Sequence, residues 1–346
     1  MTKVAVGLSG GVDSAVCVLL LRQAGYEPHG VFLKMHRVGN EEEAARRAAE
    51  ELQIPFYMKD MTAVFEAKVM QPFAALYKKG ETPNPCILCN PAVKFRGLLE
   101  AAEELGCEKI ATGHYARVER YADRFLVRRL EHSAKDQSYM LYGLGQEVLS
   151  RLLLPIGEMA DKAQVRRLAE EHGLSASQKK DSQDICFLEP GSSHEEFIAR
   201  YAGSPPEKGE ITDPAGKVLG SHNGICCYTV GQRRGLGVAA TERLYVAELD
   251  AKTNRVVLGP KESVETKTVT LRNAVLHLPL PADGLTAKVR YRDRDTAVRV
   301  ELQGEDSLIL HFEESKFAAA PGQSAVIYWK NYVLGGGFIE KMIKKV

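Results

Sequence analysis

Lys3-Val-Ala-Val-Gly-Leu-Ser-Gly-Gly-Val-Asp-Ser14 decides how the rest of the chain is read. Val4, Ala5, Val6 and Leu8 make a short apolar run, the signature of a buried parallel strand. Ser9-Gly10-Gly11 is a tight turn, and a helix is predicted over 13–24, with Val16, Leu19 and Leu20 at helical spacing and Gly25 as its stop. Two adjacent glycines let the backbone approach an anion closely, while the start of the helix aims unpaired N–H groups at it. The turn is therefore built for phosphate. It has neither the G-x-G-x-x-G spacing nor the lysine of G-x-x-x-x-G-K-[ST].

Outward from this corner, strand and helix alternate. Strands are predicted at 28–33, 55–58 and 109–112, and helices at 41–52 and 91–105, with Gly106 as a stop. Phe65, Val69, Phe73, Leu76 and Tyr77 follow a helical pattern that Pro72 kinks or breaks. Such an order implies a doubly wound parallel sheet with ligands at the carboxyl ends of its strands. A hairpin is predicted over 115–129, turning at Ala122-Asp123, then a helix from Gln137 onward and another capped by Asp161 and stopped at Gly173. The polar stretch 175–184 reads as a mobile connector, and Pro205-Pro206 marks the approach to a domain of short strands. Alternating runs at 286–292, 297–302, 308–312 and 325–329 predict a small all-β barrel, with a turn or bend at Gly335-Gly-Gly337. The predicted domains are 1–190, 191–264 and 265–346.

Length and composition fit this division: 346 residues, 45% hydrophobic, allow two or three ordinary cores. Lys plus Arg (46) nearly cancels Asp plus Glu (45), so any RNA site must be a local patch. No apolar run reaches about 18 residues, and the first residues enter a strand with no signal peptide. Seven cysteines without a secretory signal argue for reduced thiols in the cytoplasm.

Two cysteine segments stand out. In Thr82-Pro-Asn-Pro-Cys86-Ile-Leu-Cys89-Asn90-Pro91, Asn90 is a good N-cap and Pro91 suits the first helical position. A helix starting there would lower the Cys89 pKa. A lone C-x-x-C is weak evidence for zinc. In Asp181-Ser-Gln-Asp-Ile-Cys186-Phe-Leu, the last four residues taken alone read as a buried strand fragment. Cys226 and Cys227 read as core strand, and Cys17 and Cys107 as structural.

S-G-G-V-D-S (9–14) resembles the loop of the ATP pyrophosphatases, which implies adenylation: a substrate oxygen attacks the α-phosphate and pyrophosphate leaves. Two cysteines able to meet, one on a mobile segment, would supply sulfur as the incoming nucleophile. T-P-N-P-C-I-L-C-N (82–90), V-K-F (93–95), A-T-G-H-Y-A-R (111–117), K-D-Q-S-Y (135–139) and K-D-S-Q-D-I-C-F (180–187) extend the match. With G-Q-R-R-G-L-G (231–237), R-Y-R (290–292), P-G-Q-S-A-V (321–326) and L-G-G-G-F-I-E (334–340), the chain resembles the tRNA-specific 2-thiouridylases of the MnmA type along nearly its whole length.

That resemblance implies a pyrophosphatase domain, a small central domain and a C-terminal β-barrel. It implies ATP-dependent replacement of the C2 oxygen of the wobble uridine by sulfur in tRNAs for Lys, Glu and Gln. Gly7, Leu8, Ser9, Gly10, Gly11, Val12, Asp13, Ser14, Leu33 and Gly113 would line the ATP site, with Asp13 a contributor to magnesium binding. Cys186 would carry the persulfide, and Cys89 would release it, leaving a Cys89–Cys186 disulfide. Asn84, Pro85, Cys86, His114, Lys135, Asp136, Gln137, Arg290, Tyr291 and Gln323 match positions that meet tRNA.

Some members carry Asp where this chain has Cys86, so an acid/base role there would pass to the Cys86 thiolate, to water or to nothing. An alternative places an iron–sulfur cluster on Cys86, Cys89 and Cys186. Implied partners are a tRNA anticodon loop and a sulfur donor, either a cysteine desulfurase or a relay protein. A monomer is expected without tRNA. Lys288, Arg290 and Arg292 would share one strand face, and Arg233 and Arg234 in their Gly-rich turn are better placed for phosphates. Two other readings are an adenylating ligase with no use for the cysteines and an RNA-binding protein with a vestigial nucleotide fold.

Overall fold

Strands run in chain order as β1 (Lys3–Gly7), β2 (Glu27–Lys34), β3 (Phe56–Asp60), β4 (Lys109–Ala111), the hairpin β5 (Arg117–Tyr121) and β6 (Arg124–Arg128), and β7 (Leu152–Leu153). The computed structural model describes residues 1–36, 39–131, 135–159, 161–178, 185–189, 191–192, 194–202 and 206–343. The first of its two units comprises Met1–Val69, Cys86–Phe187 and Asn331–Val333.

In this unit β3-β2-β1-β4-β7 form a parallel sheet. Val4, Ala5 and Val6 on the central strand are fully buried, as expected of a strand covered on both faces. Val16, Cys17, Val18 and Leu21 of the helix Val12–Gln23 pack into the same core, with Val165 and Ala169 from the helix Lys162–Glu171. Asp161 caps that second helix by accepting the Gln164 N–H at 2.8 Å, as predicted. Ala122, at φ +53°, turns the β5–β6 hairpin where expected, and Tyr332 pairs with Arg128 on β6.

The second unit comprises Met70–Pro85, Leu188–Lys330 and Leu334–Val346. Its helix Gln71–Lys78 packs on the helix His194–Ala202, with Phe73 edge-on to Phe197 at 5.8 Å. Strands β8 (Gly209–Thr212), β9 (Val218–His222), β10 (Tyr245–Asp250) and β11 (Arg255–Gly259) form a small sheet around Ile211, Val246, Val256 and Leu258. The remaining strands are β12 (Glu265–Leu276), β13 (Leu285–Lys288), β14 (Thr296–Leu302), β15 (Leu308–Phe317), β16 (Ser324–Trp329) and β17 (Tyr332–Ile343). They run β12-β15-β14-β13-β16-β17, and β17 pairs back onto β12, so the barrel has no free edge. The bend predicted at the triple glycine is a close approach of those two strands: a Cβ on Gly335 would stand 1.9 Å from the Val275 carbonyl oxygen.

Four local expectations are corrected. The helix at the C-x-x-C does not begin after Cys89: a helical run covers 85–104, with a π-turn over Asn90–Lys94. The proline at the first helical position is Pro85, and the wider π-turn accommodates Pro91, which has no N–H to donate. No long helix follows Gln137: Gly143 and Gly145 separate a 3-10 turn, Ser138–Leu141, from a single turn, Gln146–Leu149. The strand expected over 286–292 stops at Lys288, because Asp293 Oδ2 captures the Val289 N–H at 3.1 Å and closes a turn. Cys226 and Cys227 lie in a 3-10 turn, not a strand. Of the predicted connector, 179–184 lies outside the described residues.

Candidate active site

Ser9-Gly10-Gly11 folds as a hydroxyl-braced turn. Ser14 Oγ donates to the Gly11 carbonyl at 2.9 Å and accepts the Ser9 N–H at 3.2 Å. Gly10 has φ +69°, and a Cβ there would stand 2.6 Å from Ala44, so the helix Glu41–Glu51 closes directly over the turn. Gly11 at the N-cap offers the helix no side-chain oxygen, which leaves its first N–H groups for an anion. Gly7, Leu8, Val12 and Ser14 frame this turn, with Leu8, Val12 and Ser14 buried. Leu33 is buried on β2 and does not line the adjacent cleft of about 370 Å3, which is walled by its neighbours Phe32 and Lys34 with His36, Glu41, Asp60 and Thr62. The cleft lies at the carboxyl ends of β2 and β3, where ligands gather in such sheets.

Asp13 is the hub of the loop's far side. Lys162 Nζ stands 2.7 Å from both of its carboxylate oxygens, and the Tyr115 hydroxyl donates to Oδ1 at 2.7 Å. Gly113 packs so tightly that a Cβ would lie 2.8 Å from the Asp13 backbone. With a lysine ammonium on both oxygens, Asp13 as placed does not fit an open magnesium ligand.

The segment after β4 joins the loop to the cysteines. His114 Nδ1 lies 2.7 Å from Thr112 Oγ1, and its ring stacks on Phe95 at 5.7 Å. Burial holds the imidazole pKa well below its usual value, and the Lys94 ammonium pushes it the same way. Lys94 also acts on the thiols. Burial raises the Cys89 pKa, against the lowering predicted from a helix start; Lys94 opposes the rise, and Cys86 adds to it. The Cys89 sulfur lies 3.7 Å from Met35 Sδ, just past β2.

Cys186 is exposed, not the core residue that its segment alone suggests; the buried member is Phe187, edge-on to Phe65 at 5.6 Å. Protein packed around the Cys186 thiol pushes it up to about 12, Cys89 and Cys86 add to this, and Lys94 opposes it. The three thiols and Lys94 thus share one electrostatic neighbourhood in the first unit. Among the described residues, no three His, Cys, Asp or Glu side chains are grouped to hold a single metal ion.

Several residues matched to tRNA contacts also hold backbone. Gln137 brackets Tyr115, accepting its N–H at 2.9 Å and donating its own N–H to the Tyr115 carbonyl at 2.7 Å. Asp136 accepts from the Leu130 N–H and the Ser138 hydroxyl, while Lys135 is exposed. Cys86 is exposed one residue past Asn84-Pro85. In the second unit, Arg290 and Tyr291 sit in the turn after β13, and Arg290 donates to the carbonyls of Phe317 and Ala318. Gln323 donates to the Thr82 carbonyl at 2.6 Å, and the Thr82 N–H reaches the Pro321 carbonyl at 2.8 Å. Arg233 and Arg234 are exposed on their Gly-rich turn, and Arg233 borders an open concavity of about 680 Å3.

Lys94 and Lys162 escaped the sequence reading as site residues. For Lys94, five residues after Cys89, no signal was available, because that spacing brings two residues together only in a π-turn. For Lys162 the only signal was its place just after a recognised cap.

Comparison with known proteins places these residues in context. The chain matches family models described as tRNA methyl transferase HUP domain over residues 2–190, tRNA methyl transferase PRC-barrel domain over 195–260, and aminomethyltransferase beta-barrel domain over 267–339. A tRNA-specific 2-thiouridylase of Trichormus variabilis is 43% identical, over 99% of this chain and 99% of its own length. One from a Nostoc species is 44% identical over 99% and 100%. A third, from Clostridium acetobutylicum, is 38% identical over 98% and 99%. A solved 4-thiouridine synthetase–RNA complex with bound ATP overlaps 58% of this chain and 50% of its own, at 18% identity and a TM-score of 0.37, too partial a likeness to argue from.

Proposed function

We propose that this chain, which belongs to the tRNA-specific 2-thiouridylase family, replaces the C2 oxygen of the wobble uridine by sulfur in tRNAs for Lys, Glu and Gln, at the expense of ATP. The observation that carries the reading is the segment 112–115. Its Gly113 and Tyr115 pack on Asp13 of the phosphate turn, while its His114 stacks on Phe95, the residue after the lysine whose charge acts on Cys89 and Cys186. One short stretch of chain therefore ties an anion-binding turn to a set of thiols.

In the first step the uridine O2 bonds to the α-phosphorus of ATP. The bond from that phosphorus to the bridging oxygen breaks, and pyrophosphate leaves with the electron pair. Cys186, charged as a persulfide by a cysteine desulfurase or relay protein, then delivers its terminal sulfur to C2, and AMP leaves. The Cys89 thiolate attacks the Cys186 sulfur and breaks the S–S bond. The thiocarbonyl stays on the base, a Cys89–Cys186 disulfide forms, and an external dithiol restores both thiols. A base in an anticodon loop can leave its stack to reach such a site at small cost. Arg290, Tyr291 and Gln323 on the barrel, with His114, Lys135, Asn84 and Cys86, would meet the RNA. The enzyme is read as acting in the cytoplasm, as a monomer until RNA binds; among the described residues no helix is long and apolar enough to cross a membrane.

The test is nucleoside mass analysis after incubation with unmodified tRNA-Lys transcript, MgATP and a persulfide donor. 2-Thiouridine is expected, with none from Cys186→Ser. If neither AMP nor 2-thiouridine forms, the reading is wrong.

A further inference from the structure

The phosphate turn carries no lysine of its own, and an uncapped helix start supplies only about half a positive charge. A triphosphate brings several negative charges to the same place. The fold delivers a full cation from 149 residues away: Lys162 Nζ, 2.7 Å from both oxygens of Asp13, the second residue of the helix that begins at the turn. From these contacts we infer that Lys162 is the phosphate-binding cation of this site, contacting the β- and γ-phosphates of ATP and the pyrophosphate that leaves. The inference rests on the ATP reading given above and deepens it.

The geometry is specific. Asp161 caps its helix through the Gln164 N–H, which fixes Lys162 as the first helical residue. The Lys162 side chain is only 15% exposed and lies 5.9 Å from the Tyr115 ring centroid, while the Tyr115 hydroxyl holds the same Asp13 oxygen. A pair this far from water gains little net stability, because desolvation offsets attraction. Its worth to the site is different. Unneutralised, the Asp13 carboxylate would repel a polyphosphate at the mouth of the turn. Paired with Lys162, it holds an ammonium there that can bridge carboxylate and phosphate oxygens. When the Pα–O bond breaks, the electron pair goes to pyrophosphate, and the ammonium stabilises that new charge.

The test measures binding of ATP, pyrophosphate and AMP to the full chain and to its Lys162→Gln and Lys162→Arg variants, with thermal melts alongside. Lys162→Gln is expected to weaken ATP and pyrophosphate by about tenfold, the scale of one charge-assisted contact. AMP binding should stay unchanged even where the melt falls, since Asp13 loses its cation, and Lys162→Arg should recover most of the loss. Unchanged ATP binding in Lys162→Gln would overturn the assignment, as would a parallel loss of ATP and AMP affinity. Failure of the unaltered chain to bind ATP would overturn the ATP reading itself and this inference with it.

Discussion

Lys94 lies one π-turn beyond Cys89, and its ammonium pulls the thiols of both Cys89 and Cys186 down, against the burial that raises them. An ordinary α-turn would have pointed Lys94 elsewhere on the helix, so the register shift puts a cation in the neighbourhood of the buried Cys89 and the exposed Cys186. The Lys94→Met variant is expected to alkylate Cys89 and Cys186 several-fold more slowly at pH 8, because it removes the ammonium that opposes the rise of both thiols. Mass spectrometry of iodoacetamide-treated protein reads this directly. Equal rates in both proteins would show that the charge is not felt.

Gly10→Ala and Gly25→Ala separate two costs. Both glycines have positive φ, but a Cβ on Gly25 meets nothing within 4 Å, whereas one on Gly10 strikes Ala44. Gly25→Ala should lose about 1 kcal/mol of stability from backbone strain alone. Gly10→Ala should lose about 2–4 kcal/mol, adding the collision with a packed helix, and should also lose ATP binding. Urea unfolding of the two variants gives the comparison, and equal losses would contradict the packing described.

His114 makes stability fall in acid. In the fold its pKa is well below the usual 6.5 through burial and Lys94, so below about pH 6.5 the unfolded chain takes up a proton that the folded chain refuses. Its contribution is fully present above that pH and declines as pH falls toward the folded value. Urea midpoints from pH 8 to 5 should show a shallower decline for His114→Gln. A steeper one would reverse the assignment.

Phe187 anchors the residue beside it. Its ring is 3% exposed against Phe65, while Cys186 next to it is open to solvent. Phe187→Ala removes that anchor, a change that costs about 3–5 kcal/mol in a packed core. 2-Thiouridine formation should drop at least tenfold (~1.4 kcal/mol on the barrier) while AMP formation continues; Phe187→Leu should keep most of both. Equal loss of AMP and 2-thiouridine would show that Phe187 supports the whole unit, not the sulfur step.

What the sequence made legible follows from which forces are local. The corner at Ser9-Gly10-Gly11, the Asp161 cap and the Ala122-Asp123 hairpin turn are set by a few adjacent residues, and they could be read from those residues. The start of the 85–104 run could not, because two prolines, Pro85 and Pro91, both satisfy the rule for a first helical position. The strand after Leu285 ended early because Asp293 reaches back for a backbone N–H, a choice that alternation does not encode. At the site, the cysteines and glycines were visible by type. The two lysines were not, since Lys94 depends on a π-turn and Lys162 on a contact across 149 positions.

The chain leaves its first unit at Val69 and returns at Cys86, having placed the helix Gln71–Lys78 in the second unit. This sets an order of events during synthesis. Phe73 emerges from the ribosome long before Phe197, the ring it packs against, and so must wait unburied while more than a hundred residues are added. The first unit cannot finish as an isolated early domain, because Asn331–Val333, whose Tyr332 pairs with Arg128, are among the last residues made. Folding should therefore show a slow phase that ends when the residues near 194–202 become available, and a nascent chain halted before them should be a ready client for chaperones.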